Sequence, residues 1–236
     1  MAGLKGVLTD PLVSVVMPVY NERATIEQII PRVLAVPIRV ELIVVDDCST
    51  DGTRDLLTAL QKAHGFKLVL QPKNGGKGSA LRRGFQEVTG DVVVIQDADL
   101  EYSPEEFPDL IDLICKGRAD VVYGSRFLGR HRVFLFTHYL GNRVLTSVTN
   151  LLYNTMLTDM ETCYKVMRTE VLRSFTLESN GFGIEPELTA KIFKRRYRVY
   201  EVPISYDGRG YEEGKKITWR DGVVALWVLI KYRFTE

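Results

Sequence analysis

Short β-branched runs separated by helix-length segments constrain this chain more than any other feature. The runs are VSVVMP at 13–18, VELIVV at 40–45, FKLVL at 66–70, DVVVI at 91–95 and ADVVY at 119–123. Between them, 24–35, 53–64, 77–88 and 105–117 have the length and spacing of helices, with Phe107, Leu110, Ile111 and Ile114 on one face of the last. Strand and helix alternating in this way predict an α/β fold, and strands that are apolar throughout predict cover on both faces. The expected architecture is a Rossmann-like, mostly parallel open sheet with helices on both faces. The second half is less regular: a helix over 139–157, a candidate strand at CYKVMR, a helix over 185–195, a strand at RVYEVPIS, a Gly-rich loop and a helix from 217. No repeat or linker divides the 236 residues, so a single domain is expected.

Charge narrows the function classes. Thirty-one Lys and Arg against 30 Asp and Glu give a formal charge of +1, which offers no reason to expect nucleic acid as a partner. The distribution says more. No Asp or Glu occurs from Val121 to Thr158, a stretch that carries Arg126, Arg130, Arg132 and Arg143 among Phe127, Phe136 and Tyr139. Cys48, Cys115 and Cys163 are odd in number and lack metal-ligand spacing, so a reducing cytoplasm is expected. The start, MAGLKGVLTDPLVSVV, lacks the apolar core of a signal peptide, and VVALWVLI at 223–230 is far shorter than the ~20 residues of a spanning helix. The expectation is a cytoplasmic protein, peripherally associated with the inner face of a membrane.

In open α/β sheets ligands bind beyond the carboxyl ends of the parallel strands, so the residues just after each strand are the candidates. Pro18, Tyr20, Asn21 and Glu22 follow the first, Asp46 and Asp47 the second, Asp97, Asp99 and Glu101 the fourth, and Arg126 the fifth. Three carboxylates within five residues repel one another unless a cation or protons offset them. An all-oxygen set with no His or Cys pattern favours Mg2+ or Mn2+, and Mg2+ held this sparsely takes its other ligands from phosphates and water. The same segment also reads as a solvated turn before a helix capped by Ser103 and begun by Pro104, Glu105 and Glu106. KNGGKGSA at 73–80 is neither a Walker loop nor G-x-G-x-x-G, and reads as a helix entry allowing close backbone approach, with Lys77 near phosphate. GRGYEEGKK at 208–216 is either a solvated basic loop or a closing loop whose Arg209, Lys215 and Lys216 neutralise a leaving diphosphate.

Jointly, VSVVMPVYNE, ELIVVDDCSTDGT, NGGKGSALRRG, VVVIQDADLEYSP and VVYGSRF, in this order and spacing, resemble the family 2 glycosyltransferases with the GT-A fold. More narrowly, the chain is similar to the polyprenol- and dolichol-phosphate mannose and glucose synthases. The motifs cover residues 13–126, and weaker matches at DMETCYKVMR, GFGIEPELT and GRGYEEGKK extend over nearly the whole chain. The resemblance implies a GDP- or UDP-hexose donor bound by residues 1–126. It sets Pro18, Tyr20, Glu22, Val44 and Asp46 around the base and ribose, and Asp97, Ala98 and Asp99 beside the nucleotide-sugar. It puts the metal on Asp99 and Glu101, where many relatives carry Gln in place of Glu101. It implies Arg126 and Arg143 at an acceptor phosphate, Arg209 and Lys215 on the closing loop, and Asp97, Asp99 and Arg126 as the catalytic set. Residues 127–236 become the acceptor half, ending in an amphipathic helix.

A lipid-phosphate acceptor accounts for the acid-free segment, and so does an ordinary amphipathic helix and loop with a basic surface. The last helix, with Trp219, Trp227, Lys231, Tyr232 and Arg233, has an interfacial composition, and its apolar face equally suits completing the core. The Gln-x-x-Arg-Trp motif of the processive synthases is absent. The expected reaction is a single inverting hexose transfer with no covalent nucleophile and, for an ionised phosphate acceptor, no dedicated base. A sugar or protein hydroxyl as acceptor requires one, from Asp159, Glu161 or Glu185. A silent nucleotide-sugar-binding protein is the reading from another class.

Overall fold

The computed structural model describes residues 6–133, 136–208 and 219–235. Seven strands, Val13–Val19 (β1), Val40–Asp46 (β2), Lys67–Leu70 (β3), Val92–Ile95 (β4), Val121–Ser125 (β5), Lys165–Arg168 (β6) and Val199–Pro203 (β7), form one sheet in the order β3-β2-β1-β4-β6-β5-β7. The helices are Ile26–Leu34 (α1), Thr53–His64 (α2), Lys77–Phe85 (α3), Phe107–Cys115 (α4), Phe136–Tyr153 (α5), Thr169–Arg173 (α6), Ile184–Lys194 (α7) and Trp219–Phe234 (α8). Helices pack against the sheet, α3 on β1 and β2, and α4 on β5 and β6.

Burial follows the composition of the strands. Val13, Val15, Val16 and Met17 in β1 and all four residues of β4 have no exposed surface, as continuous apolar strands require. The edge strands β3 and β7 are only partly covered. Four pairings are parallel, β1 with β2 and β4, β2 with β3, and β5 with β7. Strand β6 runs antiparallel to both β4 and β5, with Val94 opposite Val166 and Tyr123 opposite Lys165. That reversal matters for the site, because the loop entering β6 arrives at the edge where β4 and β5 end.

The glycine-rich helix entry is used for close approach, as its composition predicts, but the approaching group is protein backbone. Ser79 N donates to Asn180 O at 2.9 Å, and Gly76 adopts φ +87° with room for no Cβ, since one would lie 2.7 Å from Asn180 O. A Cβ on Gly78 would overlap the Ser179 carbonyl oxygen. Gly78→Ala is therefore expected to lower the unfolding free energy by about 1–3 kcal/mol in a urea titration, because backbone has to shift. A variant as stable as the parent would show that the 179–181 loop yields freely.

Ser103 stands extended at the expected cap position, φ −105° and ψ 108°, but its side chain makes no capping hydrogen bond. Pro104–Glu106 instead form a 3-10 turn that leads into α4. The proline at the first position needs no N–H partner, so a side-chain cap is dispensable.

Helices α5 and α8 pack on each other and on α7. One stripe of α8, Ala225, Val228, Leu229 and Tyr232, is buried, with Tyr153 OH donating to Leu229 O at 2.7 Å. The other side of α8 exposes Val223, Val224, Trp227, Ile230 and Phe234, and α5 exposes Phe136, Leu140, Val144 and Leu151. Helix α8 thus lacks the polar face of an ordinary amphipathic surface helix. It completes a small core with one stripe and presents apolar surface with the other. Gly183, which caps α7, sits under α8, where a Cβ would be 3.2 Å from Val228 Cγ2 and 3.5 Å from Val224 Cγ1.

Candidate active site

The loops leaving β1, β2, β4 and β5 and the loop entering β6 meet at one sheet edge. The first two are knitted together: Asn21 N donates to Ser49 Oγ at 3.0 Å and Thr50 N to Asn21 Oδ1 at 2.9 Å. Thr25 Oγ1 lies 2.9 Å from Ala98 O and 3.0 Å from Glu22 Oε2, which ties the β1 loop to the acidic loop. Pro18 and Glu22 are half-buried and Tyr20 is exposed at this edge. Val44 does not join them. It is wholly buried within β2, between Met17 and Leu68 in register, and has no surface to offer a ligand.

Both acids after β2 are engaged by the fold. Asp46 is fully buried and accepts Arg54 Nε at 2.7 Å and Ser49 N at 3.3 Å. Asp47 accepts the N–H groups of Gly75 at 2.8 Å and Gly76 at 2.7 Å, so the glycine loop is fastened to this acid. Their contribution to a ligand edge is through the loops they fix.

The three acids after β4 have separate surroundings. Asp97 is half-buried, with Lys77 Nζ 2.8 Å from its Oδ1 and 3.0 Å from its Oδ2. Lys77 is also 3.1 Å from Glu185 Oε1, and Glu185 Oε2 is 2.8 Å from Lys165 Nζ. Charges alternate along Asp97, Lys77, Glu185 and Lys165. Burial by itself lowers the lysine, but the facing charges of Asp97 and Glu185 raise Lys77 well above the usual lysine range. Burial raises Asp97, and Lys77 outweighs it, leaving the carboxyl below its ordinary value and ionised. Lys77 therefore lies against carboxylates, where a phosphate neighbour was expected. Cys163, in the loop entering β6, is buried beside this group, and burial together with Asp97 pushes its thiol well up, so it stays protonated at neutral pH.

Asp99 and Glu101 are half-buried. Asp99 Oδ1 accepts Glu101 N at 3.1 Å, Glu101 Oε2 accepts Tyr206 OH at 2.7 Å, and Glu101 O accepts Asp207 N at 3.0 Å. The acidic loop is thereby joined to the segment after β7. No cluster of three or more His, Cys, Asp or Glu able to hold a metal exists among the described residues. Two partly accessible carboxylates with no soft donor suit a hard ion that completes its shell with ligand oxygens. Asp99 and Glu101 therefore fit Mg2+ or Mn2+ bound together with phosphate, and do not suit zinc.

Arg126, just after β5, is held by the loop that enters β6. Its Nε and Nη2 lie 2.7 and 2.8 Å from the two oxygens of Asp159, which is fully buried and also accepts the Arg126 N–H at 3.0 Å. Its guanidinium carbon is 5.1 Å from the Tyr206 ring centre, and Tyr206 packs on Tyr102, which packs on Tyr164. Nη1 makes no hydrogen bond among the described residues. Glu201 of β7 fixes the Asp159 loop by accepting Thr158 N at 2.9 Å and Asp159 N at 3.2 Å. Arg143 is exposed on α5, and its side chain makes no hydrogen bond or ion pair among the described residues, so the structure does not join it to Arg126. Arg209, Lys215 and Lys216 lie outside the described residues.

Tyr206, Tyr102 and Lys165 were not expected at the site. The signal for Tyr206 is its place just after the last strand, and for Lys165 its place at the start of a strand that runs backwards.

The family model for Glycosyl transferase family 2 matches residues 14–176. The dolichol-phosphate mannosyltransferase of Pyrococcus furiosus is 33% identical over 216 residues, covering 86% of this chain and 58% of that protein, so the chain spans less than two thirds of its length. The polyprenol monophosphomannose synthase of Mycolicibacterium smegmatis is 30% identical over 210 residues, 83% of this chain and 77% of that one. Glucosyl-3-phosphoglycerate synthase from Mycobacterium tuberculosis, solved with Mn2+, UDP and glucosyl-3-phosphoglycerate, superimposes with a TM-score of 0.73 at 25% identity, over 94% of this chain and 80% of that one. The sheet is thus the GT-A sheet, and the chain belongs to the glycosyl transferase family 2.

Proposed function

We propose that the chain transfers one hexose, with inversion, from a GDP- or UDP-linked donor to a polyprenyl-type phosphate. The observation that carries this reading is the meeting, at one sheet edge, of the half-exposed Asp99 and Glu101 with the buried Arg126–Asp159 pair. The first two suit a donor diphosphate bound with metal, and the pair suits an acceptor phosphate.

The donor lies along Pro18, Tyr20, Glu22, Asp97, Ala98 and Asp99. A Mg2+ or Mn2+ ion held by Asp99 and Glu101 supplies positive charge to the departing diphosphate when bound. Tyr206 orients Glu101 through its hydroxyl, and Lys77 keeps Asp97 ionised and fixed beside the sugar. Arg126, locked by Asp159, holds the acceptor phosphate in line for attack. That phosphate is already ionised, so no side chain takes a proton from it. Arg209 and Lys215 belong to the same reading as cations of a closing loop, and Arg143 as basic surface toward the acceptor.

Peripheral attachment to the inner face of a membrane is supported by the exposed apolar sides of α5 and α8 beside Arg143, Arg220 and Arg233. No helix among the described residues is long and apolar enough to cross one.

A thermal-shift screen of UDP- and GDP-sugars with Mn2+ tests the donor. The true donor at about a hundred times its Kd is expected to add roughly 2.7 kcal/mol, about 5–10 °C for a chain of this size. Transfer of labelled sugar from that donor into an organic-extractable polyprenyl phosphate then tests the acceptor. A stabilising donor with label passing only to water-soluble hydroxyl acceptors would overturn the lipid-phosphate reading.

A further inference from the structure

We infer, on the donor reading above, that Glu161 binds hydroxyl groups of the transferred hexose and so helps to select which sugar is moved. The loop entering β6 carries Asp159, Glu161 and Cys163 in alternation, and each neighbour of Glu161 is committed elsewhere. Asp159 pairs with Arg126 at 2.7 Å, and Cys163 N donates to Tyr102 OH at 3.1 Å. Glu185, on α7, pairs with Lys77 and Lys165, and Asp97 pairs with Lys77. Glu161 makes no hydrogen bond or ion pair among the described residues, and its Oε1 is buried without a partner.

A buried carboxylate oxygen with no donor is costly, and native structures keep such a group where a ligand supplies the missing bond. Position says which ligand. Along the loop Glu161 stands two residues after Asp159, which holds Arg126 on the proposed acceptor side, and four before Lys165, which holds Glu185 in the proposed donor-side group, and the field of both reaches it. The sugar in transit occupies that interval, between the diphosphate it leaves and the phosphate it joins. A phosphate beside Glu161 would be repelled by it and by its acidic neighbours. Vicinal hydroxyls are neutral, donate two hydrogen bonds and match a carboxylate.

Burial pushes the Glu161 carboxyl up to about 7, with Lys165 and Arg126 lowering it and Glu185 and Asp159 raising it. A carboxyl raised in the folded state costs stability as pH rises from the ordinary range through about 7, and the full cost stands above that. Glu161 is thus a group the empty fold would be better without, as is common for groups kept for function.

The test is isothermal titration of wild type, Glu161→Gln and Glu161→Ala with UDP, UDP-glucose, GDP and GDP-mannose in Mn2+, with apo unfolding measured at pH 8. Both variants are expected to bind the matching diphosphate within about twofold of wild type. Each is expected to weaken the sugar-bearing form about tenfold or more relative to the diphosphate. Glu161→Gln is expected to be at least as stable as wild type at pH 8. An unchanged ratio of sugar-form to diphosphate affinity would overturn the inference, as would donor binding like wild type with transfer lost, the signature of a base. Destabilisation of Glu161→Gln at pH 8 also overturns it, since the role is then structural. Wild type that binds none of the four probes removes the donor reading itself, a result distinct from all of these.

Discussion

Asp99→Ala is expected to abolish Mn2+-dependent transfer and Mn2+-dependent donor binding while leaving the unfolding transition close to wild type. The residue sits half-exposed on the loop after β4 and accepts the Glu101 N–H at 3.1 Å, a turn bond worth about 1 kcal/mol. The chemistry loses far more. Asp99 is one of only two carboxylates proposed to hold the ion, and the charge an ion lends a departing diphosphate is worth several kcal/mol, roughly a thousandfold or more in rate. Asp99→Asn separates the two roles, because the amide still accepts the turn hydrogen bond but carries no charge. It is expected to match wild type in a urea titration and Asp99→Ala in the transfer assay. Full activity in either variant would remove Asp99 from the metal site.

Arg126→Leu is expected to be inactive and to lose about 3–5 kcal/mol of unfolding free energy. The loss arises less from the arginine than from what it leaves behind. Asp159 has no exposed surface, and without the guanidinium its carboxylate is a buried charge left with one backbone N–H, that of residue 126, and the like charges of Glu161 and Glu201. Arg126→Leu combined with Asp159→Asn removes the orphaned charge and is expected to recover more than half of that stability without recovering transfer. Equilibrium urea unfolding of the two singles and the double gives the coupling directly. A single variant that loses under about 1 kcal/mol would mean that the pair is open to water.

The alternation of strands and helices was legible from apolar runs because those runs are buried on both sides. The candidate edge was legible where strands are parallel, since the residues after β1, β2, β4 and β5 all reach one edge of the sheet. Strand β6 escaped that logic. It runs antiparallel, so Asp159, Glu161 and Cys163, which precede it, reach the same edge, and no local pattern in a four-residue strand reveals its direction. Helix α6 is five residues long, too short for a helical period to show. Asp46 and Asp47 looked like ligands because their partners, Arg54 and the amides of Gly75 and Gly76, lie 8 to 29 positions along the chain. Val44 was carried into the site by the resemblance, and strand pairing placed it in the core.

The packing of Gly183 under α8 gives the outer apolar surface and the donor-side charges a common wall. Val224 and Val228 press on Gly183 from one side, and from the other α7 starts at once, bringing Glu185 to Lys77 within its first turn. Close-packed side chains transmit displacement rather than absorb it. A displacement of α8 would therefore reach the first turn of α7, and through Glu185 the lysine that holds Asp97, so the outer helix and the charged group behind it form one short lever.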